Sequence, residues 1–255
     1  MAIRLFLNGC NGRMGKTIRS IVETADGLKI AAGADLNADL SAGFPVYADP
    51  RQCGEAFDVV VDFSSPAALP ALCDLIETRR CAAVICTTGL DDSLKNRLSQ
   101  MALICPVFIS ANMSLGINLL IQLARQAAKL LYPDFDLEII EAHHNQKVDA
   151  PSGTALMIAD QINQELDQRL SYVYDRSQVR QKRDTRELGI HAIRGGSIVG
   201  DHTVLFAGPE ETLEIKHQAQ SRAVFARGAM AAARFLAGKP AGFYNMEDLI
   251  RSSRL

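Results

Sequence analysis

The first 24 residues constrain the fold most. Ile3-Arg-Leu-Phe-Leu7 is a short apolar run that passes at once into Gly9-Cys-Asn-Gly12-Arg-Met-Gly15, and Lys16 to Thr24 then follows helical spacing. Strand, glycine turn and helix in direct succession form the context of a dinucleotide-binding βα unit. The glycines permit a tight turn and a close backbone approach to a pyrophosphate, and the helix N-terminus supplies amides and a favourable dipole. Gly9, Cys10, Asn11, Gly12, Arg13 and Met14 are the residues so placed. The spacing is Gly-x-x-Gly-x-x-Gly rather than Gly-x-Gly-x-x-Gly, and a glycine-rich βα turn without a nucleotide is the competing reading.

The alternation continues. Leu28 to Ala34 reads as a second strand and ends in Asp35-Leu36-Asn37, close to where an acidic residue about 20 positions after the glycines holds a ribose. Asp35 and Asn37 both remain candidates. An Asn there, with Arg13 and Lys16 near the turn, repels a 2′-phosphate less than a carboxylate does, so NADH and NADPH both stay open. Further strands are expected over 58–62, 82–86 and 106–110, with helices to about Arg79 and over 94–102. Apolar strands spaced by helices predict a parallel sheet covered on both faces, with ligands at the strand C-termini. Besides the glycine turn, those ends carry Ser64-Ser65, Thr87-Thr88 and Ser110-Ala-Asn-Met113.

A helix is expected over 114–131, with Leu119, Leu120, Leu123, Ala127 and Leu130 on one side. Phe135 to Ala142 is rich in β-formers. Glu141-Ala-His-His-Asn-Gln-Lys-Val-Asp-Ala-Pro-Ser-Gly-Thr154 then links this strand to a helix marked by Ala155, Ile158, Ala159, Ile162, Leu166 and Leu170. Ser152 or Thr154 can cap that helix, and its amides attract anions, carboxylates included. Lys147 adds a positive charge, and His143 or His144 can carry a proton near neutral pH. This describes a pocket for an anionic small molecule beside a proton donor. The alternative is a capped helix behind solvated polar residues. Asp175 to Glu187 is mostly charged and reads as a solvated loop. Short strands over 189–194, 202–207 and 212–218 make a mixed, largely antiparallel sheet; in the last, Leu213, Ile215 and His217 alternate with Glu214, Lys216 and Gln218, so one face is expected buried and the other wet. An alanine-rich helix from Ala223 to Leu236 returns to the first half. The fold class is therefore α/β, a Rossmann-like parallel-sheet domain (1–114 and 224–255) plus a smaller α+β domain (115–223).

The chain has 255 residues, a net charge of −2 and a pI near 6.2, so any attraction for an anion must be local. No nucleic-acid or membrane partner is expected, because no global basic excess, membrane-length apolar run or signal peptide is present. Six cysteines without a Cys-x-x-Cys pair point to reduced thiols in the cytoplasm rather than to a structural zinc site.

Two motifs together carry a resemblance. Gly-x-x-Gly-Arg-Met-Gly at the N-terminus, with Glu-Ala-His-His-x-x-Lys-x-Asp-Ala-Pro-Ser-Gly-Thr in the middle, resembles dihydrodipicolinate reductase. The likeness spans nearly the whole chain and takes in Asp62-Phe-Ser, Thr87-Thr88-Gly89, Ser110-Ala-Asn-Met-Ser114 and Arg194-Gly-Gly-Ser-Ile-Val-Gly-Asp-His-Thr203. It implies a two-domain, usually tetrameric NADH- or NADPH-dependent reductase of the diaminopimelate and lysine pathway, acting on 4-hydroxy-tetrahydrodipicolinate. By that resemblance His143 is the proton donor or acceptor and Lys147 the second donor. His144, Gly153 and Thr154 hold the substrate carboxylates. Gly9 to Met14 hold the pyrophosphate, and Cys86, Thr87, Thr88, Ser110, Ala111, Asn112 and Met113 the nicotinamide end. The first domain then binds the dinucleotide, and the second binds substrate and oligomerises. Asn145-Gln146, Cys86 and Met113 depart from the family's pattern, as does Asn37 at the ribose position.

Two readings from other classes compete. A metal hydrolase built on Glu141, His143, His144 and Asp149 is disfavoured, because adjacent histidines on an extended chain face opposite ways and no His-Glu-x-x-His helix exists. A non-catalytic nucleotide sensor would keep the glycine turn but has no need of His143 and Lys147.

Overall fold

A computed structural model describes residues 2–37 and 43–252, which divide into two compact units. The first comprises 1–115 and 223–255, the second 116–222.

The first unit is built on a seven-stranded sheet. Its strands are β1 (Ile3–Asn8), β2 (Leu28–Ala34), β3 (Val46–Tyr47), β4 (Val59–Asp62), β5 (Ala82–Ile85), β6 (Pro106–Ile109) and β12 (Gly242–Tyr244), in the order β12-β6-β5-β4-β1-β2-β3. Each strand pairs with its neighbours in parallel. The central strands read as continuous apolar runs because helices cover both faces. One face packs Leu5, Leu7, Val59, Val61 and Val84 against α1 (Arg13–Thr24) and α6 (Ala223–Leu236). The other packs Phe6, Val60, Ala83, Ile85 and Val107 against α2 (Leu69–Arg79) and α3 (Asp92–Met101). α6 approaches the backbone so closely that a Cβ on Gly228 would lie 1.6 Å from the Met113 carbonyl oxygen. α7 (Met246–Ser252) completes this unit.

The second unit is a five-stranded sheet in the order β11-β10-β7-β9-β8. It contains β7 (Asp136–His143), β8 (Ser171–Val173), β9 (Glu187–Arg194), β10 (Gly200–Ala207) and β11 (Thr212–Ala219). The sheet is mixed: β10 is antiparallel to both β7 and β11, whereas β7/β9 and β8/β9 are parallel. Period-2 alternation aims Leu137, Ile139, Leu188, Ile190, Val204 and Phe206 at α4 (Leu115–Leu131) and α5 (Gly153–Glu165).

Four expectations change in detail. On α4 the buried residues are Ile117, Leu120, Ile121, Ala124 and Ala128, while Leu119, Leu123 and Leu130 are exposed. The apolar arc is broader than a single stripe, so periodicity alone could not choose the buried side. α5 stops at Glu165, because Asp167 and Gln168 take left-handed backbone angles of 56° and 60°. Leu170 is nonetheless buried, held by Asn163, whose side chain bonds both its N–H and its C=O. The 175–187 segment is not uniformly solvated. Arg176 and Arg183 turn inward onto Glu138, at 3.0 and 3.1 Å. Finally, Leu213 on the edge strand β11 is 42% exposed rather than buried.

Candidate functional site

In the first unit, β1 delivers the chain into a turn at Gly9, whose φ of +76° and 2.5 Å Cβ-to-Phe63-oxygen approach admit only glycine. The helix starts earlier than expected, at Arg13, so Arg13 and Met14 belong to its first turn. Gly12 is the N-cap and no side chain caps it. An uncapped helix start with an exposed glycine is a cradle for an anionic group. Cys10 is fully buried in the core beneath this turn, so its side chain supports the turn from below.

Asp35 has a definite local task. One of its carboxylate oxygens accepts the Asn11 N–H at 2.9 Å and the other the Asn37 N–H at 3.0 Å. It thus ties the glycine turn to the end of β2, while the exposed Asn37 side chain remains at the rim. The Asn11 amide reaches the Asn37 carbonyl and accepts from Arg19 at 3.2 Å. These residues border a groove of about 520 Å³, lined by Gly9, Gly12, Asp35, Asn37, Arg51 and Ser64 among others. A second cavity of about 460 Å³ opens at the ends of β5 and β6, between Thr87-Thr88-Gly89, Ser110-Ala111 and Phe243. Ser110 and Asn112 shape its edge, Ser110 Oγ donating to the Asn112 carbonyl at 2.8 Å. Cys86 and Met113 are buried in the core, so their unusual side chains face away from both cavities.

In the second unit the site grows from a strand end. His143 is the last residue of β7 rather than a loop residue, so sheet pairing fixes it beside Arg194 of β9. Glu141 stands two residues earlier on the same face and is fully buried. Its carboxylate accepts four hydrogen bonds: Arg194 Nη2 at 2.7 Å, Arg194 Nη1 at 2.8 Å, the Ser152 N–H at 2.9 Å, and His143 Nδ1 at 2.6 Å. Burial pushes the Glu141 carboxyl up, but Arg194, His143 and the Ser152 amide outweigh it and hold it below its ordinary value. An ionised Glu141 fixes the hydrogen of His143 on Nδ1 and leaves Nε2 as the working atom. Nε2 lies 3.0 Å from where a Cβ on Gly200 would stand, so the glycine keeps it uncovered.

His202 packs edge-on to His143 at 5.2 Å and shares a 3.1 Å hydrogen bond with Ser152 Oγ. Burial, with the neighbouring His143, brings its pKa down to about 4, so it is a neutral wall of the site. Ser152 caps α5 by accepting the Ala155 N–H at 3.2 Å. His144 faces the opposite way from His143 and is half-buried. Beyond it, Lys147 Nζ lies 2.8 Å from Asp149, whose carboxylate also takes the Gly153 backbone N–H. An internal carboxylate therefore already sits on the lysine and helix amide expected to attract an anion. Thr154 follows in the first turn of α5.

His143 thus ends β7, His144 and Lys147 lie on the short connection that follows, and Gly153 and Thr154 open α5, while the residues picked from Gly9 to Met113 lie in the first unit. Glu141, Arg194, His202 and Gly200 had no assigned task in this site from sequence. The Glu141–His143 spacing of two on a strand was a readable signal. Arg194 and Gly200 stand in the Arg194–Thr203 motif of the resemblance, which did not say what they meet across the sheet.

Comparison with known proteins agrees along the whole length. Residues 3–113 match the family model for the N-terminus of dihydrodipicolinate reductase and residues 116–250 that for its C-terminus. The 4-hydroxy-tetrahydrodipicolinate reductase of Caldanaerobacter subterraneus subsp. tengcongensis is 49% identical over 251 residues, covering 98% of this chain and 99% of that protein. The Clostridium tetani protein of the same name is 46% identical over 252 residues, covering 99% and 98%. A dipicolinate-bound dihydrodipicolinate reductase from Paenisporosarcina sp. TG-14 shares the fold, with a TM-score of 0.80 at 23% identity over 96% of this chain and 98% of that one. The chain belongs to the dihydrodipicolinate reductase family.

Proposed function

We propose that this protein reduces 4-hydroxy-tetrahydrodipicolinate to tetrahydrodipicolinate with NADH or NADPH, in diaminopimelate and lysine biosynthesis. The carrying observation is the buried Arg194–Glu141–His143 chain, which ends at an uncovered imidazole nitrogen beside the start of α5. The first unit takes the dinucleotide. The Gly9–Gly12 turn and the uncapped start of α1 fit its pyrophosphate, Asp35 and Asn37 the adenosine ribose, and Thr87-Thr88 with Ser110-Ala111 the nicotinamide end, backed from the core by Cys86 and Met113.

A bound NADH or NADPH supplies the hydride. The protein supplies the proton and the charge. The 4-hydroxyl leaves as water to give the conjugated ring, and hydride addition to that ring leaves an electron pair there. A proton from Nε2 of a doubly protonated His143, or from Lys147 Nζ, neutralises it, and the ionised Glu141 pairs with the imidazolium at Nδ1. A substrate carboxylate takes over the Lys147 and Gly153 contacts that Asp149 now fills, and His144 and Thr154 complete the grip. His202, held neutral, packs against the imidazole without competing for the proton.

The protein works as a cytoplasmic homotetramer. Six free cysteines fit a reducing compartment. The face of the five-stranded sheet opposite α4 and α5 carries Ile140, Leu205 and a half-exposed Ile193, a surface suited to burial against another copy. Sedimentation of the purified protein tests the assembly. The activity is tested by substrate-dependent oxidation of NADH and NADPH. His143→Ala and Lys147→Ala are expected to lower turnover far more than cofactor affinity, and comparable loss of cofactor binding in both variants contradicts the assignment.

A further inference from the structure

One buried charge in the first unit has no part in the chemistry above. Asp62 ends β4 and is fully buried, and no ion pair to it occurs among the described residues. It lies between the two cavities. Asn8 and Ser64 line the first and Thr87 the second, and all three bond to its carboxylate. Oδ1 accepts Asn8 Nδ2 at 2.8 Å and Ser64 Oγ at 2.5 Å, and Oδ2 accepts Thr87 Oγ1 at 2.6 Å.

The direction of each hydroxyl follows from its other partner. Ser64 Oγ already accepts from Asn8 Nδ2 at 3.0 Å, and Thr87 Oγ1 accepts the Ser64 backbone N–H at 3.2 Å. Each hydroxyl hydrogen is therefore left for Asp62, and the Asn8 amide can only donate. Three donors converge on two oxygens, the surroundings of an ionised carboxylate. Burial outweighs the three hydrogen bonds and raises the Asp62 pKa above its ordinary value, so its charge is costly and depends on those donors.

A buried carboxylate without a cation is costly, and the cost falls when a positive charge arrives nearby. The oxidised nicotinamide ring carries such a charge and the reduced ring does not. We infer that Asp62 is a positioning residue of the dinucleotide site. It joins the walls of the two cavities, turns the Ser64 and Thr87 hydroxyl hydrogens inward so that their oxygens face the cofactor as acceptors, and favours the oxidised over the reduced cofactor through its charge. This deepens the proposed function and rests on its placement of the nicotinamide end at Thr87.

The test is a calorimetric titration of the full-length protein and its Asp62→Asn variant with NADPH, NADP+ and ADP-ribose. In the variant the affinity for NADP+ relative to NADPH is expected to fall on the order of tenfold. ADP-ribose, which lacks the ring, is expected to follow NADPH. A purely structural role weakens all three alike, and that result, or an unchanged ratio, overturns the inference. Should Asp62→Asn not fold, Asn8→Ala serves. It removes one donor from the carboxylate and shifts the same ratio in the same direction by less, and an unchanged ratio there counts equally against it. A wild-type protein that binds neither dinucleotide removes the proposed function together with this inference. Tight binding of both with no change of ratio in the variant removes this inference alone.

Discussion

Replacing Glu141 by Gln perturbs the site at a single atom position. The carboxylate receives four donors at 2.6–2.9 Å, two on each oxygen. A glutamine offers one acceptor oxygen and one amide nitrogen, so in either orientation two of those donors meet another donor. If the nitrogen faces Ser152 and Arg194 Nη2, the guanidinium loses half of its clamp. If it faces His143, the Nδ1–H bond is lost and the imidazolium has no acceptor at Nδ1. Loss of the buried charge partner costs about 3–5 kcal/mol of stability. Loss of the negative partner of the imidazolium costs turnover on the order of 10²- to 10⁴-fold, about 3–5 kcal/mol in barrier height. The assay is steady-state kcat and KM at saturating cofactor, with cofactor Kd and thermal unfolding measured in parallel. We expect kcat to fall at least a hundredfold while cofactor Kd changes little. Because Glu141 acts through His143, adding Glu141→Gln to His143→Ala should cost little further activity. A folded Glu141→Gln protein whose kcat stays near wild type refutes the role given to Glu141. So does a full additional loss in the double variant.

Three further outcomes follow from the geometry of the two units. Gly200→Ala puts a methyl 3.0 Å from His143 Nε2. It should depress kcat with cofactor affinity intact, and an unaffected kcat places the reactive proton elsewhere. His202 has a folded pKa near 4 against 6.5 when exposed, so the unfolded chain binds the extra proton. Its contribution is complete above the unfolded value and declines as pH falls from about 6.5 towards about 4, by about 3 kcal/mol in all. Urea unfolding at pH 7 and pH 4.5 should therefore show a smaller acid loss in His202→Asn than in wild type. Gly228→Ala brings a Cβ to 1.6 Å from the Met113 carbonyl oxygen on a packed helix. It should lower stability by about 3 kcal/mol or more, and a wild-type melting temperature would show that α6 packs differently.

The βα alternation of the first half was legible because each strand is an apolar run bounded by a turn signal, and burial on both faces demands that composition. The short strands β3 and β12 were not legible. Val46-Tyr47 and Gly242-Phe-Tyr244 are too short to show a period, and sheet pairing alone makes them strands. On α4, five leucines and alanines suggested one face, but packing against the sheet selected Ile117, Ile121 and Ala124 instead. Within the site, the types of residue at 143, 147 and 152–154 announced proton transfer and anion binding. What prepares them was hidden, since Arg194 meets Glu141 across 53 residues of sequence through the β7–β9 pairing. The charged 175–187 segment misled for the opposite reason. Composition shows charge but not the carboxylates at Asp136 and Glu138 that draw Arg183 inward.

The decisive measurement is oxidation of NADH and of NADPH by the wild-type protein and by His143→Ala, with substrate generated in place by a coupled synthase. Substrate-dependent oxidation that collapses in the variant, while both proteins bind the cofactor equally, is the expected result and also ranks the two cofactors. Tight nucleotide binding with no oxidation of either cofactor contradicts the proposed reaction and leaves a nucleotide sensor or a reductase for another dicarboxylate.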